Sequence, residues 1–233
     1  MKLKNINQIK GKIELISGLH IGAGDSEMHI GGTDNSVVMN PHTREPYIPG
    51  SSLKGKIRSL LEMRSGLLDA RKGTPLGTDC LQNLSGNKRV EALNLLRLFG
   101  ISGAEGDAAK EVGPTRASFA DCPLSEASRA RISANNLSMT EIKAETAIDR
   151  IQGTAKGGSL RFTERVVAGM FFDFSITLKV MEGDDDLQDY LLQGLKLLEL
   201  DALGGSGSRG YGRVRFELDG GMQEKFAGIS PIA

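Results

Sequence analysis

At 233 residues the chain is long enough to bury a full hydrophobic core, and one domain over residues 1–233 suffices. Its 29 basic and 29 acidic side chains cancel, which excludes a global basic field, so a nucleic-acid partner has to be held by a local patch. Isolated Cys80 and Cys122 argue against a zinc or disulfide framework, and 5% aromatics argue against base-stacking platforms; with neither an apolar leader nor a long apolar run, the protein is expected to be soluble and cytoplasmic, without a membrane partner.

Residues 9–17 alternate Ile9, Ile13 and Leu15 with polar neighbours and read as a first strand. A glycine-rich stretch follows, holding His20, Asp25, His29 and Asp34. Residues 37–39 read as a short strand, and residues 40–50 as a proline-punctuated loop. Ser51 is the expected N-cap of a helix whose apolar positions are Leu53, Ile57, Leu60 and Leu61. Lys54 and Arg58 share a face one turn apart, while Lys56 and Arg64 project elsewhere. A helix N-terminus with cations in its first turns suits a phosphate, although a solvated basic face explains the same residues. Residues 50–56 spell G-x-x-x-x-G-K, but Ile57 stands where a P-loop needs a magnesium-binding hydroxyl, which argues against nucleotide hydrolysis.

An insertion is expected over about residues 66–113: a polar, irregular stretch (66–88), a short helix (90–99) stopped by Gly100, and a glycine-rich loop (101–113). Residues 117–120 suit a strand and 126–132 a weak element. Residues 140–163 fit a protruding hairpin within about 140–165, with residues 156–159 as its tip and Arg150 and Arg161 on its limbs; an ordinary surface hairpin fits equally well. A strand over 170–180, an acidic turn at 183–186 and a helix faced by Leu187, Leu191, Leu195 and Leu198 complete the pattern.

Residues 203–216, LGGSGSRGYGRVRF, carry Gly204, Gly205, Gly207, Gly210 and Gly212, interleaved with Ser206, Ser208, Arg209, Tyr211 and Arg213. Gly205, Gly207 and Gly210 spell the dinucleotide fingerprint, but here a helix precedes and a strand follows, the reverse of a Rossmann opening. A helix C-cap and tight turn account for one or two of these glycines, not five. Free N–H groups, hydroxyls and arginines among glycines suit a phosphate-rich ligand. The order of elements is that of an α+β fold.

Four segments together carry a resemblance: GLHIGAG (18–24), IPGSSLKGKIRSLL (48–61), ETAIDRIQG with ERVVAG (145–153, 164–169) and LKLLELDALGGSGSRGYGRV (195–214). The chain resembles the RAMP superfamily of CRISPR proteins, most closely the repeated backbone subunit of the type III-A (Csm) effector complex, over roughly residues 13–216. The resemblance implies a modified RRM-like, ferredoxin-like core with a protruding β-hairpin thumb and a glycine-rich C-terminal loop. It implies copies stacked in a filament along a guide RNA, beside other effector subunits. Guide contacts carried onto this sequence are Ser51, Ser52, Lys54, Lys56 and Arg58; Gly205, Ser206, Gly207, Ser208 and Arg209; and thumb residues including Arg150 and Arg161. His20 is placed near the guide.

The same resemblance implies endoribonuclease cleavage of guide-paired target RNA with a divalent metal ion, expected to be Mg²⁺. The matching aspartate, in GGTDNSVV, is Asp34, expected to be catalytic as base or metal ligand. Cleavage needs an in-line 2′-OH, an acceptor for its proton and charge relief on the phosphate, and a carboxylate on a glycine loop can serve either of the last two needs. Two departures weaken the match at the thumb: AKGGSLRFTERV is longer than the family's pattern and lacks its proline. The alternatives are a non-catalytic guide-binding subunit, a metal-independent guide-processing ribonuclease centred on His20, and a phosphate-binding metabolic protein.

Overall fold

The computed structural model describes residues 2–24, 35–68, 73–101 and 107–232. In chain order the elements are β1 (Leu3–Leu15), β2 (Tyr47–Ile48), α1 (Gly50–Ser65), α2 (Gly86–Phe99), α3 (Asp107–Val112), β3 (Ala117–Phe119), β4 (Cys122–Pro123) and α4 (Glu126–Asn135). Then follow β5 (Thr140–Glu145), β6 (Arg161–Val166), β7 (Phe171–Met181), α5 (Leu187–Leu200), β8 (Val214–Leu218) and α6 (Met222–Ala227).

Four strands form one antiparallel sheet in the order β3-β7-β1-β8. α1 lies in the connection from β1 to β3, and α5 in the connection from β7 to β8. This is a βαββαβ path with its two helices packed together, the ferredoxin-like arrangement expected from the resemblance. Alternation fixes which face is covered. Ile9, Ile13, Leu15, Phe172, Phe174, Ile176, Val214 and Phe216 are buried, together with Leu53, Ile57 and Leu61 of α1 and Leu191, Leu195 and Leu198 of α5. Each such side chain contributes about 1.5–3 kcal/mol on burial. Gly194 lets the two helices approach, because a Cβ there would meet Ile57 and Leu61. On the opposite face, strand positions such as Lys10, Lys12, Asp173, Arg215 and Glu217 are charged, so that face does not offer a base-stacking platform.

The helix start differs from expectation. α1 begins at Gly50 with Pro49 at the cap position, and Ser51 and Ser52 lie inside its first turn. The capping acceptor comes from far along the chain: the Gly50 N–H donates to Asp121 Oδ1 at 2.8 Å. Gly50 is buried against the Phe119 and Ala120 carbonyls, where a Cβ would overlap, and this close approach delivers Asp121 to the helix end. Ser52 and Leu53 N–H groups bond the Pro49 carbonyl. An internal carboxylate therefore holds the place assigned to a phosphate. Asp121→Ala is expected to cost about 1 kcal/mol, as other cap losses do, read as a lowered urea midpoint at unchanged slope.

Three further expectations are corrected. Residues 37–39 make isolated bridges, Gly22 to Val37 and Met39 to Pro46, rather than a strand. The loop expected at 101–113 contains α3, whose Val112 packs with Leu81, Ala92 and Leu96 in a second small core. In the hairpin, β5 and β6 pair from Thr140↔Val166 to Glu145↔Arg161, but residues 156–159 are a return bend rather than the tip. The far turn is at 149–153, closed by Asp149 Oδ1 accepting from the Ile151 and Gln152 N–H groups, which puts Arg150 in the turn itself.

Candidate nucleic-acid interface

The glycine loop after α5 folds back on the segment after β1. Leu203 N–H donates to the Gly212 carbonyl at 2.8 Å, Gly212 N–H to the Gly18 carbonyl at 2.9 Å, and Gly205 N–H to the His20 carbonyl at 2.9 Å. Gly204 and Gly212 take left-handed φ of 74° and 68°, and a Cβ on either would overlap a backbone carbonyl. These glycines serve close packing, with a 3-10 turn over Gly207–Arg209 projecting from it.

The loop meets the foot of the hairpin. His20 Nδ1 lies 2.7 Å from the Glu164 carbonyl on β6; a carbonyl only accepts, so Nδ1 carries the hydrogen. Gly205 packs beside the same ring. Tyr211 is fully buried, with Lys143 Nζ 4.4 Å and the Arg165 guanidinium 4.9 Å from its ring centroid. Burial, with the nearby Glu145 carboxylate, raises the pKa of its phenol. Arg165 also bonds Glu141 Oε1 at 2.8 Å. Arg209 and Arg161 both approach Glu145, at 3.3 and 3.5 Å.

The α1 cations divide. Lys56 pairs with Asp201, just before the glycine loop, at 2.6 Å, which joins the helix to the loop. Lys54 is half-buried and makes no ion pair among the described residues; burial, helped by the neighbouring Arg58 charge, lowers its pKa. Arg58 is turned inward: it bonds Glu62 at 2.7 Å, the Leu76 carbonyl at 2.7 Å and the Gly100 carbonyl at 3.2 Å, tying the insertion to α1. Ser51 and Ser208 are exposed, Ser206 and Gly207 partly so. Arg150 and the 97%-exposed Ile151 occupy the far turn of the hairpin. The structure thus brings His20, Gly205–Arg209, Lys56 and Arg161 into one neighbourhood.

Asp34 lies outside the described residues, and so do Asp25 and His29. Its sequence neighbours anchor at the same joint: the Asn35 carbonyl accepts the Glu164 N–H at 3.2 Å, and Val37 N–H donates to Glu164 Oε2 at 2.9 Å. Among the described residues no three His, Cys, Asp or Glu side chains converge to hold a metal ion, and no helix is long and apolar enough to cross a membrane. Sequence reasoning named Tyr211 only as a residue of the glycine loop and did not single out Lys143, Glu145 or Arg165. The signal lay in alternation: Glu141, Lys143 and Glu145 recur every second residue and face Arg165, Thr163 and Arg161 in register.

Fold and joint together define a ferredoxin-like protein with a charged hairpin braced against a glycine loop. A model of the RAMP superfamily matches residues 12–215, and the chain belongs to that superfamily. Within it, the chain is 38% identical over 218 residues to the Methanocaldococcus jannaschii protein named CRISPR system Cms endoribonuclease Csm3, covering 93% of this chain and 80% of that one. It is 38% identical over 216 residues to the protein of the same name from Enterococcus italicus, covering 91% and 90%. A solved Csm3–Csm4 subcomplex of the type III-A CRISPR-Cas interference complex matches with TM-score 0.53 and 27% identity, over 93% of this chain and 78% of the matched one. A type III-B Cmr-beta complex bound to cognate target RNA matches with TM-score 0.59 over 92% and 60%; at 14% identity this is a likeness of fold alone.

Proposed function

We propose that this chain is a guide-RNA-binding backbone subunit of a type III-A CRISPR effector complex and an endoribonuclease acting on guide-paired target RNA. The observation that carries the reading is the convergence of glycine loop, hairpin foot and the residues that follow Asp34, Asn35 and Val37, at one basic joint. The identity with proteins named Csm3 endoribonuclease, spanning more than nine-tenths of the chain, supports it. Its partners are guide RNA, target RNA, further copies of itself in a filament and other effector subunits, working in the cytoplasm.

Lys54, Lys56, Arg161 and Arg209 neutralise guide phosphates and the N–H groups of Ser206, Gly207 and Ser208 donate to them, with Gly205 holding the loop against His20 and with Ser51, Ser52 and Arg150 as outlying contacts. His20 positions the loop through its bond to Glu164. Arg58 acts by bracing α1. In the cleavage step the target 2′-oxygen attacks the adjacent phosphorus in line, its proton passes to an acceptor, and the 5′-oxygen leaves, taking up a proton from water; the products carry a 2′,3′-cyclic phosphate and a 5′-hydroxyl. Asp34 is the group we assign to that step. A divalent ion, expected to be Mg²⁺ and held by Asp34 with RNA oxygens, would supply charge relief on the phosphate.

The test is incubation of the assembled complex with guide-complementary RNA, with and without Mg²⁺. Regularly spaced cuts ending in cyclic phosphate are expected, and they stop when chelator is added. A complex that binds target yet leaves it whole would overturn the enzymatic part. For guide binding, Lys54→Gln should weaken RNA affinity several-fold and flatten the log–log salt dependence by roughly one unit; an unchanged slope would remove Lys54 from the interface.

A further inference from the structure

At the foot of the hairpin one carboxylate sits among three cations drawn from β5, β6 and the glycine loop. Glu145 Oε2 lies 3.3 Å from Arg209 Nε and 3.5 Å from Arg161 Nε, and Oε1 lies 3.7 Å from Lys143 Nζ. The carboxylate is 10% exposed, whereas the Arg161 and Arg209 side chains are 50% and 46% exposed. None of these pairs closes into a hydrogen bond, and Oε2 is buried without one. The arginines are approached through Nε, while Arg209 Nη2 bonds Ser206 Oγ. This leaves Arg209 Nη1 and both terminal nitrogens of Arg161 without a partner among the described residues. Counting the adjacent Arg165–Glu141 pair and the Glu164 carboxylate that accepts from Val37, the joint holds four cations (Lys143, Arg161, Arg165, Arg209) against three carboxylates (Glu141, Glu145, Glu164), an excess of one positive charge.

We propose that Lys143, Arg161 and Arg209 form a seat for one RNA phosphodiester, with Glu145 as the positioning residue that keeps the two guanidiniums convergent. The proposal rests on the RNA-binding reading above. An arginine that clamps a phosphate loses rotamer freedom, and a buried carboxylate anchoring Nε removes part of that cost before RNA arrives. The same carboxylate repels the phosphate, so the two effects have to be weighed. Two guanidiniums at about 4 Å from the anion outweigh one carboxylate at about 7 Å by roughly threefold at equal dielectric, so the seat stays attractive to phosphate with Glu145 in place. Because the seat takes groups from both the hairpin and the glycine loop, an occupied seat also fixes the hairpin relative to the core.

The experiment titrates the full chain against fluorescently labelled oligouridine by anisotropy across a series of KCl concentrations. Glu145→Ala makes the protein more positive, yet it is expected to weaken binding roughly five- to tenfold and flatten the salt slope by about one. Glu145→Gln, whose amide oxygen can occupy the same place facing both Nε groups, should recover most of the affinity. Arg161→Gln should cost less in the Glu145→Ala background than in the unaltered chain, since the two act on one contact. Tighter or equal binding by Glu145→Ala, or fully additive losses, would overturn the seat. Should Glu145→Ala not fold, Glu145→Thr, a strand former too short to reach either Nε, takes its place: weakened binding supports positioning, and tighter or equal binding overturns it. An unaltered chain without salt-dependent RNA binding overturns the RNA-binding reading and the seat with it, whereas intact binding indifferent to Glu145 overturns the seat alone.

Discussion

Asp34→Ala is expected to lower target cleavage by the assembled complex by roughly 10²- to 10⁴-fold, the range that a positioned proton acceptor supplies. Guide and target affinity should stay within about twofold, because each charge assigned to phosphate binding lies on α1, the hairpin or the glycine loop, and a phosphate contact changes affinity by roughly tenfold only when a cation is removed. Uncoupling cleavage from binding is what separates a catalytic aspartate from a structural one. A turn residue that stabilises its own loop would disturb assembly together with cleavage. Single-turnover cleavage and target anisotropy, measured on the same preparations, read the two quantities. Persistent regularly spaced cuts in the variant would remove Asp34 from the reaction and leave the guide-binding role standing. Asp34→Asn sharpens the result: it keeps size and hydrogen bonding, and loses the negative charge that accepts a proton or binds a cation.

What is legible in the sequence depends on whether the cause is local. Leu187, Leu191, Leu195 and Leu198 recur at helical spacing because one stripe of α5 is buried, and the structure buries all four. Five glycines around Arg209 announce close packing, and Gly204 and Gly212 supply it against His20 and Leu203. The first strand reads from residue 9, whereas β1 starts at Leu3; its outer half pairs only with the end of β7 and is largely exposed, so it carries no alternation of burial. The α1 cap defeats a local reading because its acceptor is Asp121, 71 positions downstream, where no local rule reaches. The hairpin turn is legible in principle, since Asp149 bonding the N–H groups two and three residues on is a short-range habit of aspartate; the Gly157–Gly158 pair is the louder turn signal and points to the wrong bend. Lys143 and Glu145 require strand register, because their meaning lies in facing Thr163 and Arg161. A net charge of zero hides the joint, whose excess of positive charge is offset by surface elsewhere, such as the acidic turn before α5.

Gly212→Ala is expected to destabilise the protein by about 3 kcal/mol or more and to weaken RNA binding with it. Three costs add. The residue sits at φ 68°, where an L side chain is strained by about 1–2 kcal/mol. An added Cβ would overlap the Leu203 carbonyl oxygen, carbon and nitrogen, all backbone atoms that cannot rotate away. Moving apart would break the bonds from Gly212 N–H to Gly18 and from Leu203 N–H to the Gly212 carbonyl, each worth about 1 kcal/mol. These bonds hold the glycine loop to the segment carrying His20, so Arg209 would lose its approach to Glu145 and the buried Tyr211 its place between Lys143 and Arg165. Gly157→Ala is the control: Gly157 has no left-handed φ, and an added Cβ there would meet no atom within 4 Å, so its effect should stay within about 0.5 kcal/mol. Urea unfolding gives the stabilities and RNA anisotropy at fixed salt gives the binding. A Gly212→Ala protein as stable as Gly157→Ala would show that the loop does not depend on this contact, and the joint would then have to be held by the hairpin's charges alone.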